Sequence, residues 1–378
     1  MRDTNAGTGA AAAATRTTST SRTRARRAAT GMAAVIALAG FLVPAAQAAP
    51  AADAATAADS DAASPAKGKV TVHQAAPTAK DEQRVRTYWT PKRIAALSTP
   101  LSKNPPRDAA DGARWKGDGA VTTTVGRLFF TEHGEDASCT ATLVKSANHS
   151  TLATAAHCLN STDLLGDNDE WQANLMFVPG FRDGQAPLGG FVVRQAVVNS
   201  IWLENNQIDS RTYDAHDQGF AVVGRNENGK TVEEAAGAAQ GIAFDAPGNR
   251  TAYQFGYPRA ASDDAREGLP EYTGRELAFC QGTPREYPGV KDAPEPAGQW
   301  GVPCVMGGGS SGGPRFSGFS TDKGLGTQVG VNTQSGQMDS TGAVCEDRND
   351  SKCTRHLVGT QFTVALTKPL YDKAQHLS

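Results

Sequence analysis

A chain of 378 residues is too long for one small domain and short for three, and length alone suggests about two. Its 37 Lys and Arg nearly balance 39 Asp and Glu, for a formal net charge of -2. Nothing in that balance points to nucleic acid or to an anionic membrane surface as a partner.

In chain order, residues 1–48 carry no folded element. Arg22, Arg24, Arg26 and Arg27 form a basic stretch, followed by an apolar run from Met32 to Val43 that Pro44 interrupts. Ala46, Gln47 and Ala48 then offer the small-x-small pattern that a signal peptidase cuts. The run is too short to stay in a bilayer, so 1–48 read as a secretory signal and no stable membrane association is expected. Residues 49 to about 70 are almost wholly Ala, Asp, Thr and Ser and cannot bury a core. From Lys67 to Gly119 the chain is polar and proline-dotted, with short apolar patches at Val85–Trp89 and Ile94–Leu97. Residues 49–118 therefore read as a low-complexity propeptide or a solvated linker.

Beyond Thr122 the texture changes. Short β-branched and aromatic runs alternate with Gly, Asn, Asp and Pro clusters: Val125–Phe130, Cys139–Val144, Asn174–Val178, Phe191–Val198, Gly219–Val223 and Thr251–Tyr257. Glu276–Cys280, Thr327–Thr333 and Leu357–Val364 continue the series. The pattern is all-β, a sandwich or barrels, closed by a short C-terminal helix over Lys368–His376. Residues 119–378 form the expected folded domain, with room for two packed barrels.

Export would place the six cysteines, at 139, 158, 280, 304, 345 and 353, in an oxidising compartment. They read as three disulfides, among fifteen possible connectivities. Neither C-x-x-C nor His-x-x-x-His spacing occurs, so no metal and no other cofactor is expected. The acidic stretch Asp167, Asn168, Asp169, Glu170 does not meet an EF-hand pattern and reads as a solvated loop rather than a calcium site.

Three local signals carry chemistry. The first is Thr154-Ala155-Ala156-His157-Cys158, where an apolar hairpin runs into small residues and then a histidine. A Cys158–Cys139 bond would pin the turn that aims the imidazole. The second is Gly307-Gly308-Gly309-Ser310-Ser311-Gly312-Gly313-Pro314. A flexible linker could look like this, but Cys304 just before it, Pro314 after it and strand-like sequence on both sides argue for a tight turn. Such a turn exposes the Ser311 hydroxyl, with the N–H groups of Gly309 and Ser311 forming an oxyanion hole. The third is Asp217, at the mouth of the apolar strand Gly219–Val223, where a carboxylate can orient an imidazole. Asp214 is the alternative acid. The remaining histidines sit in polar contexts and read as structural.

The T-A-A-H-C and G-x-S-G-G-P segments, in the order His…Asp…Ser, resemble the trypsin-like peptidases. The likeness spans residues 122 to 378, and Gly256-Tyr257-Pro258 resembles bacterial members. It implies two six-stranded antiparallel β-barrels, a triad of His157, Asp217 and Ser311 in the cleft between them, and secreted cleavage of polypeptides by a monomer. A propeptide is then the favoured reading of 49–118, since a secreted protease is held inactive until export. Where most of the family has Asp before the nucleophile, this chain has Ser310. The ion pair that activates animal members cannot form, so activation works otherwise or the oxyanion loop is already formed on folding. Val305, six residues before the nucleophile, cannot select Arg or Lys as the family's aspartate does. A pocket of Val305, Thr333, Gln334 and Ser335 is uncharged and implies a neutral residue before the scissile bond. Two other readings compete: a non-catalytic binding protein on the same fold, and an esterase. The esterase elbow needs Asp and His after the serine and helices between the strands, neither of which the pattern favours.

Overall fold

Apolar alternation sets the strands, and the computed structural model, which describes residues 68–101, 111–161, 170–204, 215–261, 268–288, 298–345, 347 and 350–378, shows how they pair. The described chain enters through β1 (Val70–Gln74), α1 (Ala79–Tyr88), α2 (Pro91–Ala96), β2 (Asp111–Arg114) and the helical turn α3 (Val121–Thr124). Six strands follow: β3 (Val125–Glu132), β4 (Glu135–Leu143), β5 (Thr151–Thr154), β6 (Ala173–Pro179), β7 (Phe191–Asn199) and β8 (Gly219–Val223). They pair in the order β7-β6-β3-β4-β5-β8, and β8 returns to β7, which closes an antiparallel barrel. Closure removes the sheet edges, and Leu128, Phe177, Phe191, Trp202 and Ala221 fill the buried cluster it encloses.

The second half comprises β9 (Gly241–Ile242), β10 (Ala252–Gly256), β11 (Ala278–Gly282), β12 (Arg285–Tyr287) and β13 (Gln299–Pro303). It continues with β14 (Pro314–Ser320), β15 (Leu325–Val331), β16 (Gln334–Met338) and β17 (Thr354–Thr360). One sheet runs β2-β11-β10-β14-β15-β9 and the other β12-β13-β17-β16, joined by a bridge between Gly330 and Gln361. Arg315, fully buried, ties the two sheets by donating to the Trp300 and Gly359 carbonyls and to Gln361. The expected all-β architecture is thus present, with one closed six-stranded barrel and, in place of a second closed barrel, two bridged sheets in which β15 and β9 run parallel. The C-terminal helix at Lys368–Ala374 packs Leu370 and Ala374 against Phe220 and Val222. Among the described residues no helix is long and apolar enough to cross a membrane.

The fold does not begin at residue 119. β1 lies antiparallel to β7, with Val70 opposite Asn199, and β2 is antiparallel to β11. Between them Val85, Trp89, Ile94 and Leu97 are buried in one cluster with Phe129, Phe181, Phe255 and Tyr257. The described part of the expected linker, 68–101 and 111–118, is therefore built into both halves. Its apolar patches are short because each helix turns only one or two side chains inward: Val85 in α1, Ile94 in α2. Residues 1–67, the expected signal and the Ala-rich tract, lie outside the described residues, as do Asp167, Asp169 and Asp214.

All six cysteines pair: Cys139–Cys158, Cys280–Cys304 and Cys345–Cys353. The first spans 19 residues, a loop whose cross-link is worth about 3 kcal/mol through the unfolded chain.

Candidate active site

The histidine comes off the end of β5. Ala155 and Ala156 are wholly buried and too small to hold the chain away from the barrel, so it folds into a single tight turn over Ala156–Cys158. The Cys139–Cys158 disulfide fastens that turn to β4. Asp217, just before β8, grips His157 at two points: Oδ1 accepts from the backbone N–H at 3.0 Å and Oδ2 lies 2.9 Å from ring Nδ1. Its side chain is 8% exposed, against 29% for His157. A carboxylate on Nδ1 selects the tautomer with the proton there and leaves Nε2 as a base. Burial disfavours the imidazolium, but the charge and hydrogen bond of Asp217, with Glu132 adding to them, hold the His157 pKa above its ordinary value. Gln172 braces the turn, donating to the His157 carbonyl at 3.2 Å and to Glu132 Oε1 at 3.0 Å.

Ser311 lies in the turn before β14 and is half-buried. The turn needs glycine. Gly309 and Gly312 take φ of +98° and +77°, conformations that side chains with a Cβ rarely adopt. A Cβ on Gly312 would also lie 2.0 Å from Thr154 Oγ1, and one on Gly313 2.0 Å from the Phe255 carbonyl. Thr140 on β4 clasps the loop from the first barrel: its N–H donates to the Ser311 carbonyl at 2.8 Å and its hydroxyl to the Gly309 carbonyl at 2.9 Å. From the other side Asn332 donates to the Ser310 carbonyl at 3.2 Å and accepts from Gly312 N–H at 2.7 Å. Among the described residues the N–H groups of Gly309 and Ser311 donate to no acceptor. Ser310, where the family usually has aspartate, is buried, and its hydroxyl donates to the Gly307 carbonyl at 2.5 Å.

The expected pocket residues divide. Val305, 9% exposed, packs in a cluster with Tyr272, Cys304 and Met306. Thr333 and Gln334 share Gln299, which donates to Thr333 Oγ1 at 3.3 Å and accepts from Gln334 Nε2 at 2.7 Å. Ser335 is exposed. Thr140, Gln172, Gln299 and Asn332 escaped the sequence reading, because each acts on residues far from it along the chain and none stands in a motif.

Neither a family model nor a curated relative matches the sequence. Among solved structures, a thermostable serine protease, AL20, from an extremophilic microorganism is 28% identical with a TM-score of 0.51. The match covers 68% of this chain and 100% of that one. Protease Anisep from Arthrobacter nicotinovorans is 26% identical with a TM-score of 0.50, over 70% of this chain and 99% of that one. With the closed barrel and the second two-sheet half, these likenesses give the class: the chain has the chymotrypsin fold and is similar to bacterial serine proteases of the trypsin-like kind.

Proposed function

We propose that this protein is an exported serine endopeptidase with Ser311 as nucleophile, His157 as general base and Asp217 as the acid that orients it. The two-point grip of Asp217 on His157 carries the reading, since one contact places the residue and the other fixes the ring with its proton on Nδ1 and Nε2 free as a base. His157 Nε2 takes the Ser311 proton while Oγ bonds to the scissile carbonyl carbon. The tetrahedral oxyanion is received by the free N–H groups of Gly309 and Ser311, each such donor being worth about 3 kcal/mol in the transition state. Collapse expels the amine, which leaves with the proton from His157, and water repeats the sequence on the acyl ester to regenerate Ser311.

Ser310 supports an oxyanion loop formed on folding, because its hydroxyl is satisfied within the loop and waits for no new N-terminus. Three disulfides fit an oxidising, extracellular compartment. Residues 1–48 would be removed on export, and the Ala-rich tract after them would be propeptide or linker. The uncharged Gln299, Thr333 and Gln334 favour a neutral residue before the scissile bond. In a peptide library strong selection for Arg, Lys or Glu at that position would contradict this.

A fluorophosphonate probe should label the secreted protein, and Ser311→Ala should not be labelled. A wild-type protein that resists the probe would favour the binding-module reading. The pH dependence follows from the raised His157 pKa. As a general base it must be neutral, so kcat/KM should fall below a midpoint that lies above 6.5, the ordinary imidazole value. Asp217→Asn removes the largest raising influence and leaves burial, which should move the residual activity's midpoint downward; an unmoved midpoint would assign the limb to another group.

A further inference from the structure

The described N-terminal segment reaches the backbone on which the oxyanion loop rests. α2 is capped by Leu97, whose carbonyl accepts from Arg127 Nη2 at 2.8 Å. Arg127 is fully buried, and its Nη1 and Nε donate to the Gly274 carbonyl and the Ser138 hydroxyl, both at 3.0 Å. Two residues on, Thr99 N–H donates to the Thr273 carbonyl at 3.2 Å, and its hydroxyl donates to the Arg259 carbonyl at 2.6 Å. Gly274 N–H in turn donates to the Pro258 carbonyl at 2.7 Å. Leu97, Thr99 and Arg127 thus pin the backbone of residues 258–260 and 273–274 as one platform.

The nucleophile loop rests on that platform. Arg259 N–H donates to the Gly308 carbonyl at 2.7 Å, and Gly307 N–H donates to the Ala260 carbonyl at 2.9 Å. The fit is close: a Cβ on Gly309 would stand 2.6 Å from the Tyr257 carbonyl and 3.1 Å from Arg259 N. In a trans peptide the carbonyl of one residue and the N–H of the next point in opposite directions. Holding the Gly308 carbonyl on Arg259 therefore turns the Gly309 N–H away from the platform, where it lacks an acceptor. If Arg259 shifted, the 308–309 peptide could rotate and take its carbonyl, rather than its N–H, toward a developing oxyanion.

We propose that Gly68–Leu101 is a permanent part of the catalytic unit, and that Thr99 is a positioning residue that holds the 308–309 peptide in its donating orientation through Arg259. This rests on the proposed peptidase activity. The segment would stand in for the N-terminal ion pair that Ser310 precludes, and an active enzyme would need to keep it rather than shed it.

The test uses the full secreted protein. Thr99→Val should lower kcat roughly five- to twentyfold, the scale of one lost hydrogen bond to a preorganised group, with KM for a peptide substrate unchanged. Affinity for a peptide aldehyde, which fills the oxyanion hole, should fall with kcat, and Thr99→Ser should restore both. Intact mass should show that the fluorophosphonate-labelled species retains residues 68–101. A Thr99→Val enzyme with wild-type kcat, a Thr99→Ser enzyme equally impaired, or a labelled and active species lacking 68–101 would overturn the proposal while leaving the peptidase reading intact. A wild-type protein inert to the probe would overturn that reading and this one with it.

Discussion

If Ser311 is the nucleophile proposed above, Ser311→Ala should give a folded protein that cleaves peptide about a millionfold more slowly than wild type, the scale seen when a triad nucleophile is removed. His157→Ala should cost about as much, and the double variant little more, because nucleophile and base act in one step and are not independent contributions. Asp217→Asn should be milder, at about ten-thousandfold: its amide would favour the wrong imidazole tautomer while the His157 turn, fastened by Cys139–Cys158, stays in place. Residual turnover should persist in all of them, since the Gly309 and Ser311 N–H groups remain. Steady-state kinetics on a peptide and an activated ester would check the ordering. Losses that simply multiply in the double variant would mean that Ser311 and His157 do not work as a unit.

Much of this site is legible along the chain. His157 and Ser311 stand in runs whose neighbours have visible jobs: Ala155 and Ala156 must vanish into the barrel, and Gly309 and Gly312 must take positive φ. Asp217 is legible only by its place before β8, and its contact with His157 across 60 residues supports the choice. What stays hidden is what holds the loop. Thr140 meets the Gly309 carbonyl from 169 residues away, and Thr99 meets Arg259 from 160, so no local pattern marks either. The strands follow the same division. Apolar alternation reveals β3, β7 and β8, which are buried along nearly their whole length. β2 (DGAR) and β16 (QSGQM) are polar, and their ladders form only because β11 and β17 offer them an edge. β1 is short and follows an Ala-rich tract, so it looks like the tail of a linker although every residue of it pairs with β7.

Gly312→Ala should damage fold and chemistry together. The residue sits at φ +77°, which costs a side-chain residue about 1 kcal/mol or more before any contact is considered. The added methyl would then stand 2.0 Å from Thr154 Oγ1 and 2.3 Å from the Thr140 carbonyl, two groups themselves joined by a 2.9 Å hydrogen bond. Neither can retreat freely: Thr140 holds the Ser311 and Gly309 carbonyls, and Thr154 leads directly into the His157 turn. Relief must come from separating the nucleophile loop from the first barrel, at a cost of about 3 kcal/mol in stability as strain and broken hydrogen bonds combine. A displacement of about 1 Å between Ser311 and His157 would lower kcat about a hundredfold in what remains folded. Gly318→Ala supplies the control, because that glycine has φ +61° with nothing within 4 Å of a built Cβ. It should lose only the backbone penalty and keep wild-type kcat. Thermal midpoints and kcat measured on both variants separate the two costs, and equal behaviour would show that the contact between loop and barrel at Gly312 is not what sets the geometry.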